Sequence, residues 1–152
     1  MDLVQRIQLL EDREKIKELR ATYCFLVDDD QYTELVNDHF TLDSGCDFRS
    51  RMTGFEPMVS KGREQILSFF QEVVASLLKD MTHTTHNHRI IIDGNQASGD
   101  CYFELTAREA NSSVPMVGAG RYHDEYQKVG DTWQFSRRNA DIFHIVPLNQ
   151  GW

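Results

Sequence analysis

The first 27 residues place apolar and charged side chains at the spacing of an α-helix. Between Asp2 and Val27, apolar residues recur every three or four positions, and charged residues fill the positions between them. The last turns, Ala21–Val27, carry apolar or aromatic residues on all sides, which predicts that they are enclosed. The pattern predicts one long helix whose buried end meets three consecutive acids, Asp28, Asp29 and Asp30.

The remaining pattern predicts two more helices and then a sheet. A short helix is expected around Tyr32–Val36, a strand at Cys46–Met52 with a turn near Thr53-Gly54, and a longer helix from about Arg63 to Leu78. Four strands follow in succession: about His83–Ile92, Ala97–Arg108, Val117–Lys128 and Thr132–Ile145. Helices first and an antiparallel meander afterwards indicate an α+β fold, a curved sheet with helices on one face that can enclose an apolar pocket.

Composition limits the classes of protein to consider. The 152 residues are 40% hydrophobic, which is enough for a core, and the length suits one domain spanning residues 1–152. With 16 Lys plus Arg against 24 Asp plus Glu, the net charge of -8 argues against binding of nucleic acid or of an acidic membrane surface. No apolar run approaches the roughly 20 residues of a membrane helix.

The termini and the cysteines indicate the compartment. The chain begins Met1-Asp2 and soon becomes charged, so no signal peptide is expected. Cys24, Cys46 and Cys101 are an odd, widely spaced set, which predicts buried free thiols in a reducing cytoplasm instead of disulfides or a zinc site.

Asp28 is the first candidate for chemistry. A helix C-terminus carries partial negative charge and prefers cations, so an acid directly after Phe25-Leu26-Val27 opposes the helix dipole. A carboxylate in that place suits a base or a partner for a histidine. Solvated loop positions remain the better interpretation of Asp29 and Asp30.

The tract from His83 to Arg89 is the second candidate. Strand alternation would place the histidines on two faces, with His83, Thr85, Asn87 and Arg89 on one side and His86, His88 and Ile90 on the other. A metal site needs about three converging ligands, and this alternation separates them, so no metal is expected. One histidine facing a pocket as an acid or base is favoured, because its pKa lies near neutrality.

The last strand offers one further candidate. Trp133 and Phe135 form a core pair at alternate positions, and Arg137 and Arg138 must point to opposite faces, so at most one arginine enters a pocket. A buried arginine would need an anionic partner or a polarised substrate oxygen. On helical periodicity alone, Tyr23 is an ordinary core residue.

Three segments of the chain form a recognisable set: the helix end Tyr23-Cys24-Phe25-Leu26-Val27-Asp28, the strand His83-x-x-x-Asn87-x-Arg89 and the strand Trp133-x-Phe135-x-x-Arg138-Asn139. Together they resemble the SnoaL-like branch of the nuclear transport factor 2-like superfamily. The chain is most similar to the cofactor-independent lyases of that branch: scytalone dehydratase, bile acid 7α-dehydratase and hexachlorocyclohexane dehydrochlorinase. The resemblance implies a cone-like, curved mixed β-sheet wrapped over N-terminal helices, with a deep apolar pocket and no cofactor.

The resemblance also implies roles for particular residues. Asp28 would orient His83, which would move a proton, while Tyr23 would donate a hydrogen bond and Arg138 would stabilise negative charge in the pocket. An alignment with His86 in the catalytic position remains open. Residues expected to contact the substrate are Phe25, Phe48, Phe70 and Asn87.

The implied function is a dehydratase-type carbon–oxygen lyase, or an isomerase, acting on a hydrophobic cyclic or aromatic molecule. Two alternatives remain: a non-catalytic binding domain, similar to the small subunit of ring-hydroxylating dioxygenases, and a polyketide cyclase. Apolar residues on both faces of Ile90–Ile92 and Phe143–Val146 predict a homo-oligomer, with a trimer favoured over a dimer.

Overall fold

A computed structural model describes residues 1–150. The helices are α1 (Leu3–Asp28), α2 (Tyr32–His39), α3 (Gly62–Ser68) and α4 (Ala75–Leu77), and a π-helical turn (Phe69–Val74) joins α3 to α4. The strands are β1 (Phe40–Ser50), β2 (Met58–Lys61), β3 (Leu78–Asp93), β4 (Gln96–Glu109), β5 (Pro115–Val129) and β6 (Thr132–Pro147).

The six strands form one curved, open sheet in the order β2-β1-β6-β5-β4-β3. Strands β1 and β6 run parallel, and every other neighbouring pair is antiparallel, so the sheet is mixed. The helices pack against its concave face, and the core lies between the two layers. This arrangement confirms the predicted α+β fold, a mixed sheet wrapped over N-terminal helices.

Helix α1 begins and ends near the predicted positions. A reciprocal pair of hydrogen bonds caps its start: Gln5 N donates to Asp2 Oδ1 (2.8 Å), and Asp2 N donates to Gln5 Oε1 (2.9 Å). Tyr23 and Val27 are buried at its other end, but Phe25 is 69% exposed. The prediction that the last turns are enclosed on several sides was therefore wrong for the face that carries Phe25, because the helix buries one face on the sheet and leaves the opposite face open.

The predicted helix from Arg63 to Leu78 is interrupted by the wider π-helical turn. Insertions of this kind occur often at functional sites, because they shift the side chains that follow.

Two sheet features were also not predicted. Strand β1 starts at Phe40, before an irregularity between Phe40 and Gly45, and the four-residue strand β2 is too short to show a clear pattern.

A β-bulge in β3 changes which histidines share a face. His86 pairs with Tyr102 and Arg89 pairs with Asp100, so one extra residue lies on β3 between the two pairs. Asn87 sits in this bulge with a φ of 57°, a left-handed conformation that asparagine tolerates better than most residues. His88 therefore turns to the same side as His83, contrary to simple alternation, while His86 stays on the outer side.

The described chain contains neither disulfides nor a membrane-spanning helix. Cys24, Cys46 and Cys101 are free and buried, as predicted. Burial raises the pKa of the Cys24 thiol to about 11 and that of Cys46 to about 12. Within residues 1–150, no helix is both long enough and apolar enough to cross a membrane.

Candidate active site

A small apolar cavity lies between the end of α1, the π-helical turn and the concave face of the sheet. Its volume is about 90 Å³, and among its 19 lining residues only Tyr23, Tyr122 and His83 have polar side chains. Phe55, in the loop between β1 and β2, and Met58, the first residue of β2, form part of the wall. An engineered apolar cavity of about 150 Å³ holds one benzene ring, so a ring-sized ligand requires some outward movement of this wall.

Asp28 and His83 form a close pair at one wall of the cavity. Asp28 Oδ1 lies 2.6 Å from His83 Nδ1, and its Oδ2 accepts a 2.8 Å hydrogen bond from the His83 backbone N–H. The two side chains are 15% and 7% exposed, respectively. One carboxylate therefore holds both the backbone and the ring of the same histidine. Nδ1–H donates to Asp28, which leaves Nε2 of this cavity-lining histidine available as a base.

The fold explains how residues 55 positions apart meet. Helix α1 ends at Asp28, so the acidic side chain projects past the last turn towards β3, where His83 lies on the inner face. Tyr23 and Val27, one helical turn apart, both line the cavity. Asp28, which is about 140° from Tyr23 on an ideal helix, does not line the cavity itself and contributes to the site through its contact with His83.

Tyr23 and Tyr122 form a second polar group at the cavity wall. Their rings meet edge to face, with 5.9 Å between centroids, and both side chains are almost completely buried. Burial raises the pKa of both phenols above the usual value, so both remain protonated. Their side chains also hydrogen-bond to each other, which leaves one hydroxyl of the pair to donate to a ligand. Tyr122 also stacks on Phe103 at 4.4 Å between centroids. A Cβ at Gly120 would collide with the Phe103 ring, so this stack requires glycine there.

Arg138 lies behind the tyrosines and does not line the cavity. Its Cζ is 3.9 Å from the Tyr23 ring centroid and 3.7 Å from that of Tyr122. Its Nε and Nη2 donate to Asp124 at 3.1 and 3.2 Å. Burial works to lower the pKa of Arg138, but Asp124 outweighs it and the pKa stands well above the usual value. The expectation that Arg138 enters the pocket is corrected, because the tyrosine rings separate it from the cavity.

The expected substrate-contact residues divide into two groups. Phe48 and Phe70 line the cavity, whereas Phe25 and Asn87 do not. Phe25 lies on the open face of α1, and Asn87 lies in the β3 bulge with its Oδ1 3.0 Å from His86 Nδ1. The histidine that Asp28 contacts is His83. His86 is exposed instead, and its Nε2 lies 3.8 Å from Glu104 Oε2.

Sequence reasoning missed Tyr122 and its neighbours on β5. Tyr122, Asp124 and Tyr126 occupy alternate positions and are all buried. A polar residue between two tyrosines on the inward side of a predicted strand is the signal that could have identified them. In the described part of the chain, no group of three or more His, Cys, Asp or Glu side chains is placed to hold a metal ion.

Comparisons with known proteins agree with this architecture. A SnoaL-like domain profile matches residues 8–139. No sequence among the curated proteins matches the chain. The structure is similar to that of a type 3 hexachlorocyclohexane dehydrochlorinase from Novosphingobium barchaimii, with 21% identity, 96% of each chain covered and a TM-score of 0.79.

Two further similar structures come from Novosphingobium aromaticivorans. One is a protein provisionally assigned as a scytalone dehydratase, with 18% identity, 97% of this chain and 99% of that chain covered, and a TM-score of 0.78. The other is provisionally assigned as the beta subunit of an aromatic-ring-hydroxylating dioxygenase, with 17% identity, 94% and 93% coverage, and a TM-score of 0.72. At these identities the likeness establishes a shared fold, which hosts several functions.

Proposed function

The chain belongs to the SnoaL-like domain family, and from this premise we propose that it is a cofactor-independent lyase or isomerase acting on a hydrophobic cyclic or aromatic small molecule. The observation that carries the proposal is the Asp28–His83 pair at the wall of an otherwise apolar cavity. A carboxylate-bound histidine facing such a cavity can take a proton from carbon and return it to another atom. The dehydrochlorinase and dehydratase names of the structural neighbours support the same class of reaction.

Elimination of water is the reaction that we favour. His83 Nε2 takes a proton from a carbon of the substrate, and the electrons of that C–H bond form the new double bond as the neighbouring C–O bond breaks. The imidazolium then gives its proton to the departing hydroxyl, which leaves as water, so one histidine serves as base and acid on one face of the substrate. Asp28 stabilises the imidazolium while it exists.

Tyr23 and Tyr122, the other polar side chains that line the cavity, assist the reaction. Tyr23 donates a hydrogen bond to the leaving hydroxyl or to a carbonyl oxygen of the substrate, where negative charge develops. Phe48 and Phe70 provide apolar contact with the ring of the substrate. Acid–base assistance from one positioned group is typically worth about 10²–10⁴-fold in rate.

A binding domain without catalysis is the second candidate. The small volume of the cavity, about 90 Å³, favours it, as does the likeness to a protein assigned as a dioxygenase beta subunit. That function does not require a paired Asp28 and His83, and their contact supports the enzyme. A polyketide cyclase would use the same residues for a different bond-forming step.

A substrate screen with two histidine variants tests the proposal. Wild-type protein is incubated with cyclic β-hydroxy ketones and chlorinated cyclohexanes, and conjugated or unsaturated products are followed by absorbance and mass spectrometry. We expect turnover of at least one compound, a loss of at least about 10²-fold in His83→Ala, and near wild-type activity in His86→Ala. Equal loss in both variants, or loss in His86→Ala alone, would contradict the assignment of His83.

Assembly and compartment complete the proposal. We propose a homo-oligomer formed through the outer face of the sheet, where Ile91 is exposed and Phe143 is half-buried. A trimer is favoured over a dimer. A reducing compartment, the cytoplasm, suits the three free thiols.

A further inference from the structure

A buried cluster of charges lies directly behind the two cavity tyrosines. The side chains of Arg20, Asp124 and Arg138 have no exposed surface. Asp124 accepts two hydrogen bonds from Arg138 and a third from the Tyr126 hydroxyl, with 2.8 Å between Tyr126 Oη and Asp124 Oδ2. Arg20 Nε donates to the same Tyr126 hydroxyl at 2.6 Å and lies 3.6 Å from Asp124. These contacts make one connected network inside the core.

Burying this network of charges lowers the stability of the folded protein through desolvation. It holds two guanidinium groups against one carboxylate, and within residues 1–150 neither Arg138 Nη1 nor Arg20 Nη2 has a hydrogen-bond partner. Burying ions carries a desolvation penalty, and apolar side chains of similar volume often serve stability equally well. A cluster of this kind therefore calls for a purpose other than stability.

The geometry of Arg138 indicates that purpose. Its guanidinium lies against the rings of Tyr23, Tyr122 and Phe135, with Cζ-to-centroid distances of 3.9, 3.7 and 4.5 Å. A planar group packed against three rings restricts the tilt of each ring, and the forked contact with Asp124 fixes the rotation of the plane itself. A tyrosine hydroxyl moves with its ring. Arg138 therefore determines the direction in which the hydroxyl can donate a hydrogen bond.

We propose that Asp124 is a positioning residue, which locks the Arg138 guanidinium against Tyr23 and Tyr122 and thereby directs the hydrogen-bonded tyrosine pair so that one of its hydroxyls donates to an oxygen atom of the bound ligand. The relevance of this positioning to turnover rests on the proposed function, but its effect on binding does not. Tyr126 and Arg20 hold the second oxygen of Asp124 and complete the support. Asp124 itself touches no ligand.

Two probe molecules of the same shape measure this effect without a known substrate. Phenol and toluene each carry one ring, and only phenol offers an oxygen to the tyrosines. Binding of each is measured by calorimetry, and the ratio of phenol affinity to toluene affinity is compared between variants. We expect this ratio to fall at least threefold in Asp124→Asn and to a similar extent in Tyr23→Phe, while toluene affinity stays near the wild-type value.

Asp12 provides the matched control for loss of a buried carboxylate. Asp12 binds Lys128 and the Trp133 indole N–H and does not line the cavity, so Asp12→Asn should lower the melting temperature without changing the ratio.

Tyr126→Phe is a milder second variant that keeps every charge, and we expect it to lower the ratio of phenol affinity to toluene affinity by about twofold. Its control is Tyr32→Phe, which removes a hydroxyl bonded only to Asp30 within the described chain.

The outcomes separate positioning from a structural role. An unchanged ratio in folded Asp124→Asn or in Tyr126→Phe would overturn the proposal, as would an equal fall in Asp12→Asn. Failure of both probes to bind wild-type protein would also overturn it, because the cavity would then not accommodate a ring. If the ratio falls as expected but no substrate is turned over, the positioning role stands and the proposed lyase activity fails.

Discussion

Replacing Asp28 with asparagine should reverse the protonation of the His83 ring. The asparagine oxygen can still accept from the His83 backbone N–H, as Asp28 Oδ2 does at 2.8 Å. Its amide N–H₂ then faces Nδ1, where Asp28 Oδ1 now lies 2.6 Å away. Because an amide N–H₂ only donates, Nδ1 must become the acceptor and the ring proton must move to Nε2. The nitrogen that the proposal uses as a base is then protonated.

Two magnitudes follow from this exchange. A histidine held in the wrong tautomer loses most of its acid–base function, so we expect turnover to fall by at least about 10²-fold. The cost in stability is smaller, because the two charge-assisted hydrogen bonds of the Asp28 carboxylate become neutral ones in a site that remains mostly buried. At about 1 kcal/mol for each bond the loss is about 2 kcal/mol, which corresponds to a melting temperature lower by about 4–8 °C.

Nitrogen-15 NMR of histidine-labelled protein measures the tautomer directly and needs no substrate. At a pH where the rings are neutral, we expect wild-type His83 to carry its proton on Nδ1 and the Asp28→Asn variant to carry it on Nε2. His83→Ala assigns the signal among the six histidines of the chain. A wild-type ring protonated on Nε2, or a variant with unchanged tautomer and turnover, would refute the reasoning.

Three further outcomes are expected. Activity should survive chelation, and metal analysis of active protein should show no stoichiometric metal; zinc or iron lost together with activity would contradict this. Light scattering at micromolar concentration should give a mass above the 17.7 kDa of one chain, with a trimer favoured, whereas a monomer would count against assembly through the sheet. Burial, Arg20, Lys17 and the nearby His86 hold the pKa of His88 below its usual value, with Glu14 opposing them, so the neutral ring favours the folded state. Thermal stability measured from pH 7.5 to 5 should therefore fall less steeply in His88→Gln than in wild type, and parallel curves would show that His88 is not responsible.

Much of the fold was accessible from local pattern. The long helix and the four consecutive strands follow from periodicity, because each depends on residues close in sequence. The resemblance to a known fold implied a mixed sheet, but it did not say that β1 and β6 are the strands that run parallel. Nothing in local sequence specifies a pairing across some 90 residues.

The site was harder to predict, because small irregularities decide it. The extra residue in the β3 bulge moves His88 to the inner face, and strand alternation cannot show where a bulge lies. Phe25 was expected to contact the substrate, but it lies on the face of α1 that points away from the sheet. Arg138 was expected in the pocket, and a buried arginine was expected to need an anionic partner or a substrate oxygen. Its partner Asp124 and the tyrosine rings that separate it from the cavity depend on packing between strands, which local sequence does not show.

The central claim is that Asp28 and His83 act as one acid–base unit, and a double-mutant cycle on kcat/KM tests it most directly. With any substrate found in the screen, kcat/KM is measured for wild type, Asp28→Asn, His83→Ala and the double variant, with folding checked by circular dichroism. We expect each single substitution to cost at least about 10²-fold and the double variant to lose little beyond the worse single variant, because residues that act as a unit are not additive. Losses that multiply in the double variant, or single variants that retain activity, would contradict the claim.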